Sequence, residues 1–345
     1  MTLRIIHVGL GGWGQSWAAD VVAHNKEIET VAWVEVDAPT LAKAQERLKF
    51  PAESGFTSLQ EALDTVDAEA VLITASLPGH VPSAVTALNA NKHVLLEKPF
   101  AGSVQEAQQV VELAEQRNLL LMISQNYRHV GIARKAAELV KNQELGQVGV
   151  VNIDFRRWAN VGEVGSNRHL SLWHPLLVDM SIHHFDLMRM VIGQEPVRVQ
   201  CTTYSPSWSK FVEAPAAALT ITFDRGAIVN YRGSWVSPAP QTNWAGEWHM
   251  ECEGGEIFWT CRGEIPDALQ LRPLGKRMRS LKVPELEYVD RSGTLNAFAQ
   301  SVKHGAPLET SGRDNLKTLA LMFGAIRSAE IGQPVDLTEP LPILN

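Results

Sequence analysis

The chain reads as α/β: an N-terminal doubly wound parallel sheet followed by an α+β domain built on a large, mostly antiparallel open sheet. Three observations predict it. Up to about residue 124, short β-branched runs alternate with amphipathic helical stretches. A glycine-rich turn, Gly9-Leu10-Gly11-Gly12-Trp13-Gly14, follows the first run. From residue 148 onward, apolar residues recur with period two. A length of 345 residues suits two domains, here 1–124 and 125–345.

In the first domain the strands are expected at 4–8, 30–36, 70–74, 93–96 and 119–123. Between them, 15–23, 41–48, 81–89 and 104–117 place apolar residues three and four apart and serve as crossover helices. A helix at 132–142 then leads through Gly146 and Gly149 to alternating strands at 148–156, 197–204, 217–223, 227–235, 248–253 and 256–259. Seven tryptophans fall in this half: Trp158, Trp173, Trp208, Trp235, Trp244, Trp248 and Trp259. Antiparallel sheets often leave one face open, so these rings predict a subunit interface there and a homodimer or homotetramer. A last helix is expected at 313–331, after the turn residues Thr310-Ser311-Gly312.

Composition narrows the function classes. Hydrophobic residues make up 45% and charged residues 20%, with no apolar run of the roughly 18 residues that a membrane span needs. The N-terminus runs straight into a strand pattern without a leader, which predicts a cytoplasmic protein. A net charge of -7 without a basic cluster argues against a nucleic-acid partner and for a small-molecule one. Cys201, Cys252 and Cys261 form no C-x-x-C, so neither a disulfide framework nor a zinc site is expected.

Strand, G-x-G-x-x-G and helix in succession form a dinucleotide-binding unit. Gly9 makes the tight turn, Gly11 lets a pyrophosphate approach the backbone, and Gly14 lets helix pack on strand. The helix N-terminus then receives the phosphate. Glu35 follows Gly14 by about 20 residues, where a carboxylate takes the ribose hydroxyls, with Asp37 as the alternative. A carboxylate there repels a 2′-phosphate and favours NAD over NADP.

Glu97-Lys98-Pro99 closes the apolar run Val94-Leu95-Leu96. A buried ammonium needs a partner or a purpose, and the proline stiffens the backbone where the strand ends. In the second half, Asp179-Met180-Ser181-Ile182-His183-His184-Phe185-Asp186 reads as the start of a helix running to about Ile192. Asp179 and His183 are four apart, which on an α-helix puts the carboxylate where it can orient the imidazole. His183 suits the removal of a hydroxyl proton near neutral pH. Lys98 is either a second proton handle, with its pKa drawn down, or a cation that polarises the carbonyl oxygen. Adjacent histidines on a helix point about 100° apart, so no metal is predicted at His183, His184 and Asp186.

These motifs resemble the glucose-fructose oxidoreductase and inositol dehydrogenase family (Gfo/Idh/MocA) across essentially the whole chain. Gly9-x-Gly11-x-x-Gly14 is similar to its dinucleotide loop, Glu97-Lys98-Pro99 to its E-K-P signature, and Asp179 through Asp186 to its D-x-G-x-H-x-x-D segment. The resemblance implies a cofactor site of Gly9, Gly11, Gly12, Trp13, Gly14, Glu35, Asp37, Ala75, Ser76, His80, Glu97, Lys98 and Gln125. It implies a cis peptide before Pro99, Lys98 as a catalytic lysine, His183 as the proton-transfer residue and Asp179 as its companion. Gln125-Asn126-Tyr127-Arg128 is similar to the segment entering the second domain. Two departures stand out: Ala75-Ser76-Leu77 occupies the place of T-P-N, and Ser181 that of the glycine in D-x-G-x-H.

A cleft between the domains is expected to be lined by Tyr127, Arg128, Arg157, Trp158, Arg168, His169, Trp173 and His174. Rings that cover the apolar face of a sugar, beside arginines that bond its hydroxyls, suit a sugar or polyol, although tryptophans on a sheet also serve as core. The reading is an NAD-dependent dehydrogenase of a secondary hydroxyl on a sugar, inositol or cyclic polyol. Two alternatives stay open: a non-catalytic NAD-binding regulator, and an enzyme whose tightly bound NAD is oxidised and reduced transiently during glycoside cleavage or elimination.

Overall fold

The computed structural model describes residues 2–283 and 285–338. It divides into two units, one running up to Asn126 and rejoined by Glu287–Leu316, the other comprising Tyr127–Leu286 and the chain from Lys317 on.

Six parallel strands make the sheet of the first unit: β1 (Leu3–Val8), β2 (Ile28–Val34), β3 (Gly55–Phe56), β4 (Ala70–Ile73), β5 (His93–Glu97) and β6 (Leu121–Ser124). Their order, β3-β2-β1-β4-β5-β6, reverses direction between β1 and β4, the switch point where doubly wound sheets bind ligands at their carboxyl ends. Every residue of β4 and β6 is buried, as a strand covered on both faces requires. The crossover helices are α1 (Gly12–Asp20), α2 (Ala38–Leu48), α3 (Leu59–Thr65), α4 (Leu77–Asn89) and α5 (Val104–Gln116). Ser58 and Ser103 start α3 and α5 by accepting from the backbone N–H three residues on.

The second unit opens with α6 (Gly131–Lys141), β7 (Val148–Arg156), a π-helical stretch over Pro175–Ser181 and α7 (Ile182–Ile192). Then follow β8 (Pro196–Tyr204), β9 (Ala216–Phe223), β10 (Ile228–Ser234), β11 (Glu247–Cys252), β12 (Gly255–Thr260), β13 (Ala268–Pro273) and β14 (Arg279–Ser280). The chain goes on through α8 (Asp290–His304) and α9 (Gly312–Ile331) to β15 (Val335–Asp336), the last strand of the second sheet. Nine described strands run β14-β13-β12-β11-β7-β10-β9-β8-β15, antiparallel except for the β7–β10 pair. Burial pushes the thiols of Cys201 and Cys252 up to about 12 and about 11, which keeps both protonated.

Period two separates the faces of this sheet and puts its tryptophans on the covered face rather than the open one. Ile153, Tyr231, Trp248, Met250 and Trp259 point inward and are buried, with Trp248 and Trp259 stacked 4.5 Å apart. The outer face is polar. There Arg232 Nε donates to Asp154 at 2.6 Å and Arg156 Nη2 donates to Glu247 at 2.7 Å. The sheet's tryptophans are core, and the exposed ones, Trp158, Trp173 and Trp208, sit on loops.

The domain boundary also differs from a single cut. Leu295, Phe298 and Ala299 of α8 complete the apolar core formed by Leu3, Ile5, Trp17, Leu72, Leu95 and Met122, so this helix belongs to the first unit. Phe298→Ala is therefore expected to destabilise the first unit by about 3–5 kcal/mol, read as a lower urea midpoint.

Two buried histidines predict the acid response. His7 Nε2 lies 2.9 Å from Thr74 Oγ1, and burial holds its pKa down to about 3. The His184 ring lies 2.9 Å from the Tyr231 hydroxyl and 2.9 Å from the Trp244 carbonyl, with burial lowering its pKa to about 4. Since the unfolded chain protonates these rings near 6.5, their contribution is whole above that pH. It falls as pH drops toward 4, by up to about 1.4 kcal/mol per pH unit for each ring. His184→Gln should flatten the unfolding free energy against pH between 6.5 and 4; an unchanged slope would refute the assignment.

Candidate active site

In the first unit every expected cofactor segment except α1 itself leaves the carboxyl end of a parallel strand. Gly9 has φ +86°, and a Cβ there would sit 2.4 Å from the Ala75 backbone nitrogen. At Gly14 a Cβ would lie 1.8 Å from the Gly9 oxygen. Nothing but glycine packs there, whereas Gly11 and Gly12 face open space that lets a ligand reach the backbone. Gly11 caps α1 without a side-chain bond, leaving the helix N-terminus to an anion. The Thr74 hydroxyl donates to the Gly9 carbonyl at 2.7 Å and holds the turn.

Glu35 follows β2 and faces the turn, where its Oε2 accepts from Leu10 N at 2.7 Å and its Oε1 from Asp37 N at 3.2 Å. Asp37 is the N-cap of α2, accepting from the Thr40 amide and hydroxyl, which draw its carboxyl below the ordinary range. Of the two candidate ribose carboxylates, Asp37 thus has a structural task and Glu35 is the one tied to the glycine turn.

Residues after β4 and β5 are held together by His80. Its Nδ1 lies 2.8 Å from the Pro99 carbonyl and its Nε2 3.0 Å from the Ala75 carbonyl. Burial, the dominant influence, lowers its pKa, and a neutral ring donates to one of these oxygens at a time. His80 therefore clamps the two turns, a different task from the direct cofactor contact expected of it. Ser76 caps α4 without a side-chain bond. The Lys98-Pro99 peptide is cis, as the resemblance implied.

The buried charge at this corner is Glu97 rather than Lys98. Glu97 is 4% exposed and accepts from Trp17 Nε1 at 2.8 Å and from Lys98 N at 3.1 Å, while Lys98 is only half-buried. At the end of β6, Ser124 Oγ and both side-chain amide atoms of Gln125 are buried without a hydrogen-bond partner among the described residues. Such atoms call for a ligand. Glycine cradle, open helix terminus and orphaned amide together fit a dinucleotide, held by Gly9, Gly11, Gly12 and Gly14, by Glu35, and at its far end by Gln125 and Lys98.

The second unit assembles a cluster around His183, which is buried on α7. Its ring stacks on Tyr127 at 4.3 Å and 6°. Arg262 lies 4.1 Å over the Tyr127 ring. The α-helical register expected to join Asp179 to His183 does not extend that far, because Asp179 lies in the π-helical stretch and α7 begins at Ile182. Pro175 and His174, at φ +40°, start this wider coil, a form frequent at functional sites. Asp179 Oδ2 is 3.6 Å from His169 Nε2.

Arg128 departs from the expected substrate contact. Its Nε and Nη2 donate to the two oxygens of Asp186 at 2.6 and 2.7 Å, and Thr318 adds a bond to that carboxylate at 3.1 Å. Arg128 and Asp186 form a buried scaffold pair. Ser181, at the family's glycine position, is buried and hydrogen-bonds the Tyr231 hydroxyl at 3.0 Å. Arg157 stacks at 4.0 Å on Trp244. Arg168, Trp158 and Trp173 are exposed, Trp173 against His174. Among the described residues, no group of three or more His, Cys, Asp and Glu side chains is placed to hold a metal ion.

Several residues escaped the sequence reading. Trp17 follows Gly14 by one short helical step, and Thr74 directly follows β4 beside Gly9, so both carry a positional signal. Arg291 of α8, 4.5 Å over the Trp13 ring and bonded to Ser16, carried none, because only the fold returns it to the glycine turn.

Known proteins match this arrangement along the whole chain. Residues 3–125 match the model of the oxidoreductase family with an NAD-binding Rossmann fold, and residues 133–257 match the GFO/IDH/MocA C-terminal domain. An uncharacterized protein of Sinorhizobium fredii, y4oX, is 28% identical over 98% of this chain and 97% of its own. Myo-inositol 2-dehydrogenase of Thermotoga maritima is 24% identical over 98% and 99%. An oxidoreductase from Agrobacterium radiobacter, solved in complex with NAD+, L-tartaric acid and magnesium, superposes with a TM-score of 0.85 at 18% identity over 98% and 99%. With both of its halves matched in order, the chain belongs to the Gfo/Idh/MocA family of NAD-binding oxidoreductases.

Proposed function

We propose that the protein oxidises a secondary hydroxyl of a sugar, inositol or related cyclic polyol, with NAD as the hydride acceptor. The observation that carries the reading is Lys98 at the carboxyl end of β5, its backbone fixed by Glu97 and His80. The likeness to a myo-inositol dehydrogenase supports the polyol class. The reading includes a small-molecule substrate, a cytoplasmic setting and a homodimer or homotetramer joined through the C-terminal sheet.

NAD, held by the glycine turn, Glu35, Gln125 and Lys98, would supply the hydride acceptor for the carbinol carbon. The hydroxyl proton goes to His183, whose ring plane is set by stacking on Tyr127, and the carbonyl oxygen that forms is polarised by the Lys98 ammonium. Asp179 is the acidic companion of this step, acting on the charge that His183 acquires. Glu35 selects the cofactor, since a 2′-phosphate beside its carboxylate meets like charge.

A panel of sugars and polyols with NAD or NADP, followed at the reduced-nicotinamide absorbance, tests this. At least one polyol should reduce NAD, and silence across the panel would remove the dehydrogenase reading. Lys98→Met and His183→Ala should each abolish turnover while NADH binding survives; turnover that persists in either variant removes that residue from the mechanism. Glu35→Ser should narrow the preference for NAD over NADP by roughly 10-fold or more, an effect of one like-charge contact. An unchanged ratio would exclude Glu35 as the selector.

A further inference from the structure

Arg157 follows β7 on a rigid backbone. Its N–H donates to the Ser234 carbonyl at 2.9 Å, and its own carbonyl accepts from Ser237 at 3.1 Å. The guanidinium carbon lies 4.0 Å over the Trp244 ring, and Nη1 donates to Gln241 Oε1 at 2.8 Å. The other edge, Nε and Nη2, is shielded from solvent and meets no acceptor among the described residues. Glu264 acts on the group only from an exposed loop position, where solvent screens it.

The same edge has a consistent use elsewhere in this chain. Arg128, Arg189 and Arg313 each turn Nε and Nη2 onto the two oxygens of one carboxylate: Asp186, Glu195 and Glu115. A planar fork of two N–H groups matches a carboxylate in geometry and charge. Leaving two charged donors buried and unmatched is costly, so a ligand that fills them gains more than a surface contact would. The surroundings tie this edge to the candidate chemistry. Trp244, under the Arg157 head, has its carbonyl 2.9 Å from His184 Nε2, and the His184 ring lies 6.4 Å edge-on to Tyr127, the ring stacked on His183; Trp244 N also donates at 2.8 Å to the carbonyl of Arg262, whose head lies over Tyr127. Two cationic heads thus lie on this aromatic cluster, Arg262 over Tyr127 and Arg157 over Trp244.

We infer that the substrate carries a carboxylate, that of a uronic or aldonic acid, and that Arg157 receives it through Nε and Nη2. The inference rests on the dehydrogenase reading above, and it narrows the substrate from neutral polyols to acid sugars. Because the edge is shielded, the carboxylate reaches it after a side-chain rotation, a motion of picoseconds to nanoseconds for exposed groups and slower for packed ones.

The test compares matched pairs on the wild-type protein with NAD: D-glucuronate against D-glucose, D-galacturonate against D-galactose, and D-gluconate against D-sorbitol, with D-glucose 6-phosphate as a separate anion. The acid of at least one pair should exceed its neutral partner in kcat/KM by roughly 100-fold, the worth of a charge-assisted bidentate contact. Arg157→Met should erase that ratio, and Arg157→Lys, which keeps the charge but not the fork, should restore only part of it. Neutral partners favoured throughout, or a ratio unchanged in Arg157→Met, would overturn the inference. A preference for the phosphate over all three acids would overturn the carboxylate in particular. If no compound turns over, the dehydrogenase reading fails by itself, and calorimetric titration of the three acids into the protein–NADH complex decides the anion site. Saturable binding that weakens roughly 100-fold in Arg157→Met upholds it, and no binding overturns it.

Discussion

The hydrogen bond from the Trp17 indole to Glu97 joins two parts of the cofactor unit that the chain separates widely. Trp17 lies on α1, directly behind the glycine turn, and Glu97 ends β5, next to Lys98. A buried carboxylate with two donors fixes both ends at once, since loss of either leaves a charge without compensation in an apolar setting. The phosphate end and the lysine end of the site are therefore set by one contact, and the clamp from His80 to the Ala75 and Pro99 carbonyls braces the turn between them.

Buried polar groups in this protein fall into two kinds. Glu97, Asp186 and His184 have their partners within the chain and act as scaffold. Ser124, Gln125 and the outer edge of Arg157 have none among the described residues. Native proteins seldom bury polar atoms without partners, so this division separates what holds the fold from what faces a ligand. Arg128 and Arg157 illustrate it, because the residue type is the same and only the presence of Asp186 distinguishes their tasks.

What could be read from the chain was local. The glycine turn, most strands of both sheets and the Glu97-Lys98-Pro99 corner show themselves within a few residues, because turn chemistry and side-chain period act over that range. The strand expected over 148–156 is β7 with the same bounds. By contrast, α8 contains Ser292, Gly293, Thr294 and Asn296, poor helix formers, and owes its form to Leu295 and Phe298 entering the first unit's core. β3, β14 and β15 have two residues each, too few for any period to register. The π-helical stretch defeated a reading based on 3.6 residues per turn, and the Arg128–Asp186 pair joins residues 58 apart with no sequence signal.

The discontinuity of the first unit bears on how the chain is made. Asn126, at the end of the first segment, hydrogen-bonds Asp290 at the start of α8, and 164 positions separate the two. A ribosome adding 5–20 residues per second needs roughly 10–30 s to cover that interval. During it the parallel sheet has emerged while Leu3, Ile5 and Trp17 still lack Phe298 as a cover. This unit can therefore complete its core only once α8 has been made, and the growing polypeptide carries an open apolar flank throughout synthesis of the second sheet.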